Sequence, residues 1–234
     1  MSPSPLRLIV NADDLGLTPA VNQAIFDLMA RGRVTSSTLL VTTPAAEAAM
    51  AEVKRFPHCS FGVHLNLTYH WPVTRDPELA PLLNEEGYLV EANRYRREFS
   101  PRLAAAVHRE WCAQVELALV RGVPVSHLDS HHHVHAIPAL GEVLQRVAAR
   151  FGLTRVRSSF ASPPDTTAFR LTDGFMALEA FMERFGQNRL RPAGRIWELM
   201  THPGAPWGRD SALLDSPWEK SLGFPVILVP YQAL

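Results

Sequence analysis

Val123-Pro124-Val125-Ser126-His127-Leu128-Asp129-Ser130-His131-His132-His133-Val134-His135 is the stretch on which the fold turns. Its first part, Val123 to Leu128, is a short apolar run that reads as a buried strand. Five of the chain's ten histidines fall within its last nine residues. Imidazole is the commonest protein ligand for transition metals. A histidine cluster where a strand gives way to a loop is well placed to hold a metal over a substrate. The alternatives are a solvated polar loop or an appended tag. A tag sits at a terminus and is uniform, whereas this cluster is internal and interleaved with Asp129, Ser130 and Val134.

Outward from this strand the same rhythm recurs. Leu6 to Val10, Ser37 to Val41, Ser60 to Leu67, Thr154 to Arg157, Arg195 to Met200 and Val226 to Val229 read as further strands. Helical patterns lie between them: Thr18-Pro19 to about Ala30, Pro44 to Arg55, Leu103 to Gly122 and Ala139 to Phe151. Thr18 and Pro19 suit a helix N-cap and first position. Residues 70–98 carry prolines and many charges and read as a long surface excursion after the third strand. Residues 159–193 are ambiguous, with a Pro163-Pro164 turn, a strand near Phe169 to Leu171 and a helix from about Gly174 to Phe185.

Strand, polar turn and helix in repetition imply an α/β fold with a parallel sheet. Seven or eight strand candidates in 234 residues favour one domain over the whole chain. The predicted architecture is a TIM-like (β/α) barrel, irregular or incompletely closed. A doubly wound open sheet is the alternative.

Bulk composition narrows the function classes. Twenty-three basic residues balance 23 acidic ones, which gives no electrostatic case for nucleic acid or an anionic membrane. Two cysteines, Cys59 and Cys112, make no disulfide framework and fit a reducing cytosol. No apolar run reaches membrane-spanning length and no signal peptide is evident. A cytoplasmic protein is the expectation.

Chemistry-bearing residues collect at one end of successive strands. Asp13-Asp14 follows the first, and His64, Asn66 and Thr68 end the third. Asp129 and the histidines follow the fourth, Arg155 and Arg157 lie at the fifth, and Glu198 and His202 belong to the penultimate strand. In a parallel barrel these ends converge on the face where active sites sit. Singly, each has a plainer reading. Asp13-Asp14 suits a helix-entry turn, His64 a satisfied core histidine, and His202 before Pro203-Gly204 a turn residue. His58 and His108 fall elsewhere.

Four blocks carry a family resemblance: Asn11-Ala12-Asp13-Asp14-Leu15-Gly16, Gly62-Val63-His64-Leu65-Asn66-Leu67-Thr68, the histidine stretch from His127 to His135, and His202-Pro203-Gly204. In order and content they resemble the YdjC-like carbohydrate deacetylases, which include chitooligosaccharide deacetylases and hopanoid-biosynthesis-associated proteins. The resemblance implies a TIM-like barrel, one divalent metal ion and removal of an acetyl group from an N-acetylated sugar. It assigns Asp14, His64 and His131 as metal ligands, Asp13 as catalytic base, and His202 to the leaving amine. Magnesium is the metal it implies, whereas two imidazoles favour a softer ion such as zinc. It also suggests a homodimer. After His202 the chain departs from the family pattern, because Asp215 to Phe224 is short and holds Pro217 and Gly223.

These residue types suit the chemistry. A carboxylate and two imidazoles leave coordination positions open. A second carboxylate can take a proton from the attacking water, and an imidazole can protonate the departing amine. Arg157 is a candidate either to contact substrate or to hold Asp13 ionised and oriented. Trp71, with Tyr88 and Tyr95, is available to stack on sugar rings, or else packs the excursion onto the body. His133 and His135 are further substrate-binding candidates, and His70 lies nearby. A metal-dependent phosphoesterase and a carbohydrate-binding protein without turnover are the competing functions.

Overall fold

The computed structural model describes residues 4–158, 169–186, 191–206 and 208–234. The strands are β1 (Leu6–Leu15), β2 (Ser36–Leu39), β3 (Ser60–Leu65), β4 (Val125–Ser130), β5 (Gly174–Ala177), β6 (Ile196–Thr201) and β7 (Val226–Leu228). The α-helices are α1 (Pro19–Ala30), α2 (Ala46–Glu52), α3 (Pro101–Val120), α4 (Pro138–Phe151), α5 (Leu178–Phe185) and α6 (Asp210–Asp215). The sheet runs β4-β3-β2-β1-β6-β5, with β7 against the start of β1. Every one of these strand pairs is parallel, as crossover helices require. Beyond β4, single bridges join Leu128 to Val156 and Arg155 to Arg170. No helix among the described residues is long and apolar enough to cross a membrane.

Helix boundaries follow local chemistry. Thr18 caps α1 by accepting from Val21 N, and Ser100 caps α3 by accepting from Leu103 N, each followed by proline. Gly152 ends α4 at φ 64°, a left-handed conformation that glycine adopts without steric cost.

Side chains alternate across the sheet. Leu8, Val10, Val63, Leu65, Leu128 and Leu199 join one apolar core with helix residues such as Ile25, Leu28, Val107, Trp111 and Leu144. The residues between them, including Asn11, Asp13, His64, His127, Asp129 and Glu198, are equally buried but polar. Gly62 lets these side chains crowd together, since a Cβ there would lie 2.7 Å from the His127 ring.

Several elements differ from the sequence expectation. Thr154 to Arg157, predicted as a strand, makes only isolated bridges at Arg155 and Val156. β1 continues through Asn11 to Leu15 instead of stopping at Val10, because its polar residues face the polar side of the sheet and keep their ladder bonds. Gly174–Ala177 is a strand, and the helix begins only at Leu178. The open edge of β6 recruits it, and Gly174 lies flat on Trp197, where a Cβ would come within 2.3 Å of the indole. The predicted strand near Phe169 to Leu171 is one bridge at Arg170. The Pro163-Pro164 turn lies outside the described residues.

Between β3 and α3 the chain makes two 3-10 turns, Pro77–Leu82 and Glu91–Tyr95. Two buried polar residues of α3 anchor the start of this segment. The Glu110 carboxylate accepts from Val73 N (2.8 Å), Thr74 N (2.7 Å) and Thr74 Oγ1 (2.6 Å). Gln114 accepts from Asn66 N and donates to Asn66 O. A cavity of about 690 Å³ lies along the segment, lined by Trp71, Val73, Asp76, Ala80, Leu83 and Gly87 among others.

Candidate metal and catalytic centre

Adjacent residues of a regular strand point to opposite faces, so Asp13 and Asp14 would diverge. A register shift in β1 between Ala12 and Leu15, with Asp14 at φ 66°, removes that divergence. Bulges re-aim side chains in this way, and aspartate tolerates the left-handed region better than most residues. Both carboxylates now face His64: its Nε2 lies 3.4 Å from Asp14 Oδ1 and 3.9 Å from Asp13 Oδ2.

His131 completes the group. Its Nδ1 lies 3.1 Å from Asp14 Oδ1, and its ring meets that of His64 edge-on at 5.4 Å. One ligand atom each from Asp14, His64 and His131 falls within 4.8 Å of the others. Asp14 Oδ1 is buried and accepts no hydrogen bond. A buried carboxylate oxygen without a donor is costly unless a cation takes its lone pair. The chemistry of the donor set therefore fits a divalent ion.

Asp13, His64 and Asp129 also approach one another closely, but they suit a cation less well. Arg157 already occupies Asp13 and Asp129. His64 Nδ1 is 2.6 Å from Asp129 Oδ1, so Asp129 orients the imidazole and leaves Nε2 for the ion. A carboxylate behind a ligating histidine is the usual outer partner of such sites.

Arg157 is fully buried and lies among three carboxylates. Its NH1 and NH2 reach Asp13 Oδ2 and Oδ1 at 2.7 and 2.6 Å. NH1 also reaches Asp129 Oδ2 at 2.8 Å, and Nε reaches Glu198 Oε1 at 2.8 Å. Asn11 Nδ2 donates to Asp13 Oδ1 at 2.9 Å. Burial alone would raise the Asp13 pKa, but the guanidinium holds it well below the usual carboxylate range. Burial opposes ionisation of Asp14 too, and the His131 and His64 imidazoles bring its pKa below the ordinary value. For His64, burial works to lower the pKa, yet Asp129 and then Asp13 and Asp14 carry it up to about 9. Asp13, Asp129 and Glu198 surround the guanidinium, and Asp14 is a fourth buried carboxylate that faces His64 and His131 instead.

The other predicted residues fall at varied distances from this centre. β1 and β6 pair Ala12 with Thr201, so His202 leaves the sheet beside Asp13. Its backbone N donates to Asp210 Oδ2 at 2.7 Å, and its half-buried ring has Nδ1 4.0 Å from the same oxygen. His132 and His133 sit at φ 53° and 54°, strained values for non-glycine residues. The His132 ring stacks on His131 at 4.0 Å. His135 is buried, with Nδ1 2.5 Å from Ser130 Oγ. Tyr69 approaches the His131 ring at 6.2 Å. Trp71 lies further out, half exposed and 4.2 Å from the Tyr88 ring. A cavity of about 470 Å³ lined by Arg94, Tyr95, Arg97, His132 and His133 flanks the histidine loop.

Asp129 and Glu198 were visible in the sequence as strand-end acids, but nothing there marked them as partners of Arg157. Asn11 stands in the sequence only as part of its block, and nothing there singles out Thr38 or Tyr231. Thr38 Oγ1 donates to Asp129 Oδ2 at 3.0 Å.

A family model described as YdjC-like protein matches residues 7–221. A carbohydrate deacetylase from Halalkalibacterium halodurans is 38% identical over 161 residues, covering 68% of this chain and 67% of that protein. One from Oceanobacillus iheyensis is 32% identical over 200 residues, covering 85% and 86%. The structure of a candidate cellobiose-phosphate cleavage protein from Enterococcus faecalis superposes with TM-score 0.81 at 26% identity, over 98% and 99% of the two chains. A lactam utilization protein from Thermus thermophilus shares the fold at TM-score 0.54 and 16% identity, over 94% and 99%. With its matched blocks gathered around one buried cluster of carboxylates and imidazoles, the chain belongs to the YdjC-like family.

Proposed function

We propose that this protein is a metal-dependent hydrolase that removes the acetyl group from an N-acetylated sugar. The observation that carries the reading is the convergence of Asp14, His64 and His131 on one point, with the differently held Asp13 beside them. The relatives named as carbohydrate deacetylases supply the substrate class.

Asp14, His64 and His131 would hold one divalent ion, magnesium by family resemblance and zinc by ligand chemistry. When bound, such an ion polarises an amide carbonyl and acidifies water. Asp13 is the general base. Arg157 and Asn11 keep it ionised and fix its orientation, so it accepts the proton of the attacking water. His202 protonates the leaving amine from the neighbouring strand end. Trp71, with Tyr88 and Tyr95, stacks on sugar rings, and His133 and His135 are the further substrate-binding residues of this reading. Arg157 acts through Asp13, because its burial and its carboxylate partners remove it from substrate.

We further infer that the sheet curls into an irregular barrel forming one domain. In the strand order β4 and β6 are four places apart, about 19 Å in a flat sheet. Yet Asp129 of β4 and Glu198 of β6 both contact Arg157. The Arg155–Arg170 bridge, followed directly by β5 on the edge of β6, supplies a path for closure. A cytoplasmic homodimer completes the reading.

A phosphoesterase would draw on Arg94 and Arg97 beside the histidine loop. Arg94, however, is paired with Glu91 at 2.9 Å and lies toward solvent. Acetate release from N-acetylglucosamine and its β-1,4-linked oligomers, before and after chelation and with magnesium, manganese or zinc restored, tests the proposal. We expect release that chelation abolishes and one of the metals restores. Hydrolysis of p-nitrophenyl phosphate with no acetate release would favour the phosphoesterase. Oligomer binding without turnover under any metal would favour a binding protein.

A further inference from the structure

Tyr231 lies in the short turn Tyr231–Ala233 after β7 and is fully buried beside Ile9 and Ile196. Its hydroxyl donates to Glu198 Oε2 at 2.6 Å. Its ring stacks on His127, centroids 3.9 Å apart and planes within 10°. Each contact leads to Asp13 by a separate route.

The first route runs through Glu198. Its Oε1 lies 2.8 Å from Arg157 Nε and 2.7 Å from NH2. Arg157 hydrogen-bonds Glu198 through Nε and Asp13 through NH1 and NH2, and NH1 and NH2 also lie at ion-pair distance from Asp129 and Glu198. Were Glu198 Oε2 to lose the tyrosine hydroxyl, this buried oxygen would be left unpaired. Arg157 is its nearest source of donors, and a second Glu198–Arg157 bond would draw the guanidinium from Asp13. The second route runs through His127, whose Nε2 lies 3.3 Å from Asn11 Oδ1, while Asn11 Nδ2 donates to Asp13 Oδ1.

We propose that Tyr231 is a positioning residue: through Glu198 with Arg157, and through His127 with Asn11, it fixes the direction in which the Asp13 carboxylate faces the reacting water. This rests on Asp13 being the base proposed above. Tyr231 itself touches no substrate.

Tyr231→Phe removes the hydroxyl and keeps the stacked ring. We expect kcat to fall about tenfold, the order of one hydrogen bond to a charged group, with KM and bound metal per chain unchanged. Glu198→Gln should give a similar fall. The double variant should be no slower than the slower single one, because both break the same link. Crystal structures of wild type and Tyr231→Phe should show the Arg157–Asp13 contacts lengthened and the Asp13 carboxylate rotated. Undiminished kcat in Tyr231→Phe, additive losses in the double variant, or an unmoved Asp13 would each overturn the proposal. If Tyr231→Phe does not fold, Glu198→Gln and its crystal structure decide. A wild type that releases no acetate from any N-acetylated sugar would refute the deacetylase reading, and the crystal comparison would still settle the role of Tyr231.

Discussion

Leu8, Val10, Val63, Leu65, Leu128 and Leu199 face the helices, while Asn11, Asp13, His64, Asp129 and Glu198, from the same strands, face the candidate site. Both sets are buried, and they are held in different ways. Leucine and valine contribute through area removed from water, about 1.5–3 kcal/mol for each large side chain, without demanding one orientation. The polar set depends on direction: Arg157, Asp13, Asp129, His64 and Glu198 are each placed by specific donors and acceptors. Changes on the helix-packed face should therefore lower stability and spare chemistry. Changes on the polar face should reach the chemistry first.

The largest expected effect is at His64. His64→Ala should lose bound metal and take acetate release to background, read by elemental analysis and an acetate assay. Full metal content in this variant would remove His64 from the ligand set. Arg157→Met should come next, because it leaves Asp13, Asp129 and Glu198 without their shared cation. Breaking such a buried ion pair costs about 3–5 kcal/mol, measurable by urea unfolding, and turnover should fall with it.

Leu8→Ala is the matched change on the other face. It should cost about 2–5 kcal/mol, while kcat of the folded protein stays at the wild-type level. A Leu8→Ala variant that unfolds normally but turns over slowly would erase the distinction between the faces. The smallest effect belongs to the excursion. Trp71→Ala should raise KM for acetylated oligosaccharides about fivefold, the scale of one lost stacking contact, and leave kcat alone. An unchanged KM would mean that Trp71 only packs on Tyr88.

Much of the helix-packed face was legible in the sequence. Strands covered on both sides read as short apolar runs, and Thr18-Pro19 marks the start of α1 by local chemistry. The polar face was legible only as types of residue at strand ends. Asn11 to Leu15 reads as a turn because its polarity hides a strand facing a polar interior. Gly174-Phe175-Met176-Ala177 reads as helix because its strand partner, β6, is distant in sequence. The Asp13–Arg157 and Glu198–Tyr231 links span 144 and 33 residues, and no periodicity reports such pairs. The Asp14 bulge is a backbone event with no side-chain signature.

That bulge brings two consecutive aspartates to one site, where the proposed function gives Asp14 to the metal and makes Asp13 the base. Bound metal per chain and turnover, measured side by side in Asp13→Asn and Asp14→Asn, test this most directly. We expect Asp14→Asn to lose the ion. Asp13→Asn should keep it at wild-type stoichiometry while acetate release falls about 10²–10⁴-fold, the usual loss for a general base. Loss of metal in Asp13→Asn with retention in Asp14→Asn would contradict the division of roles.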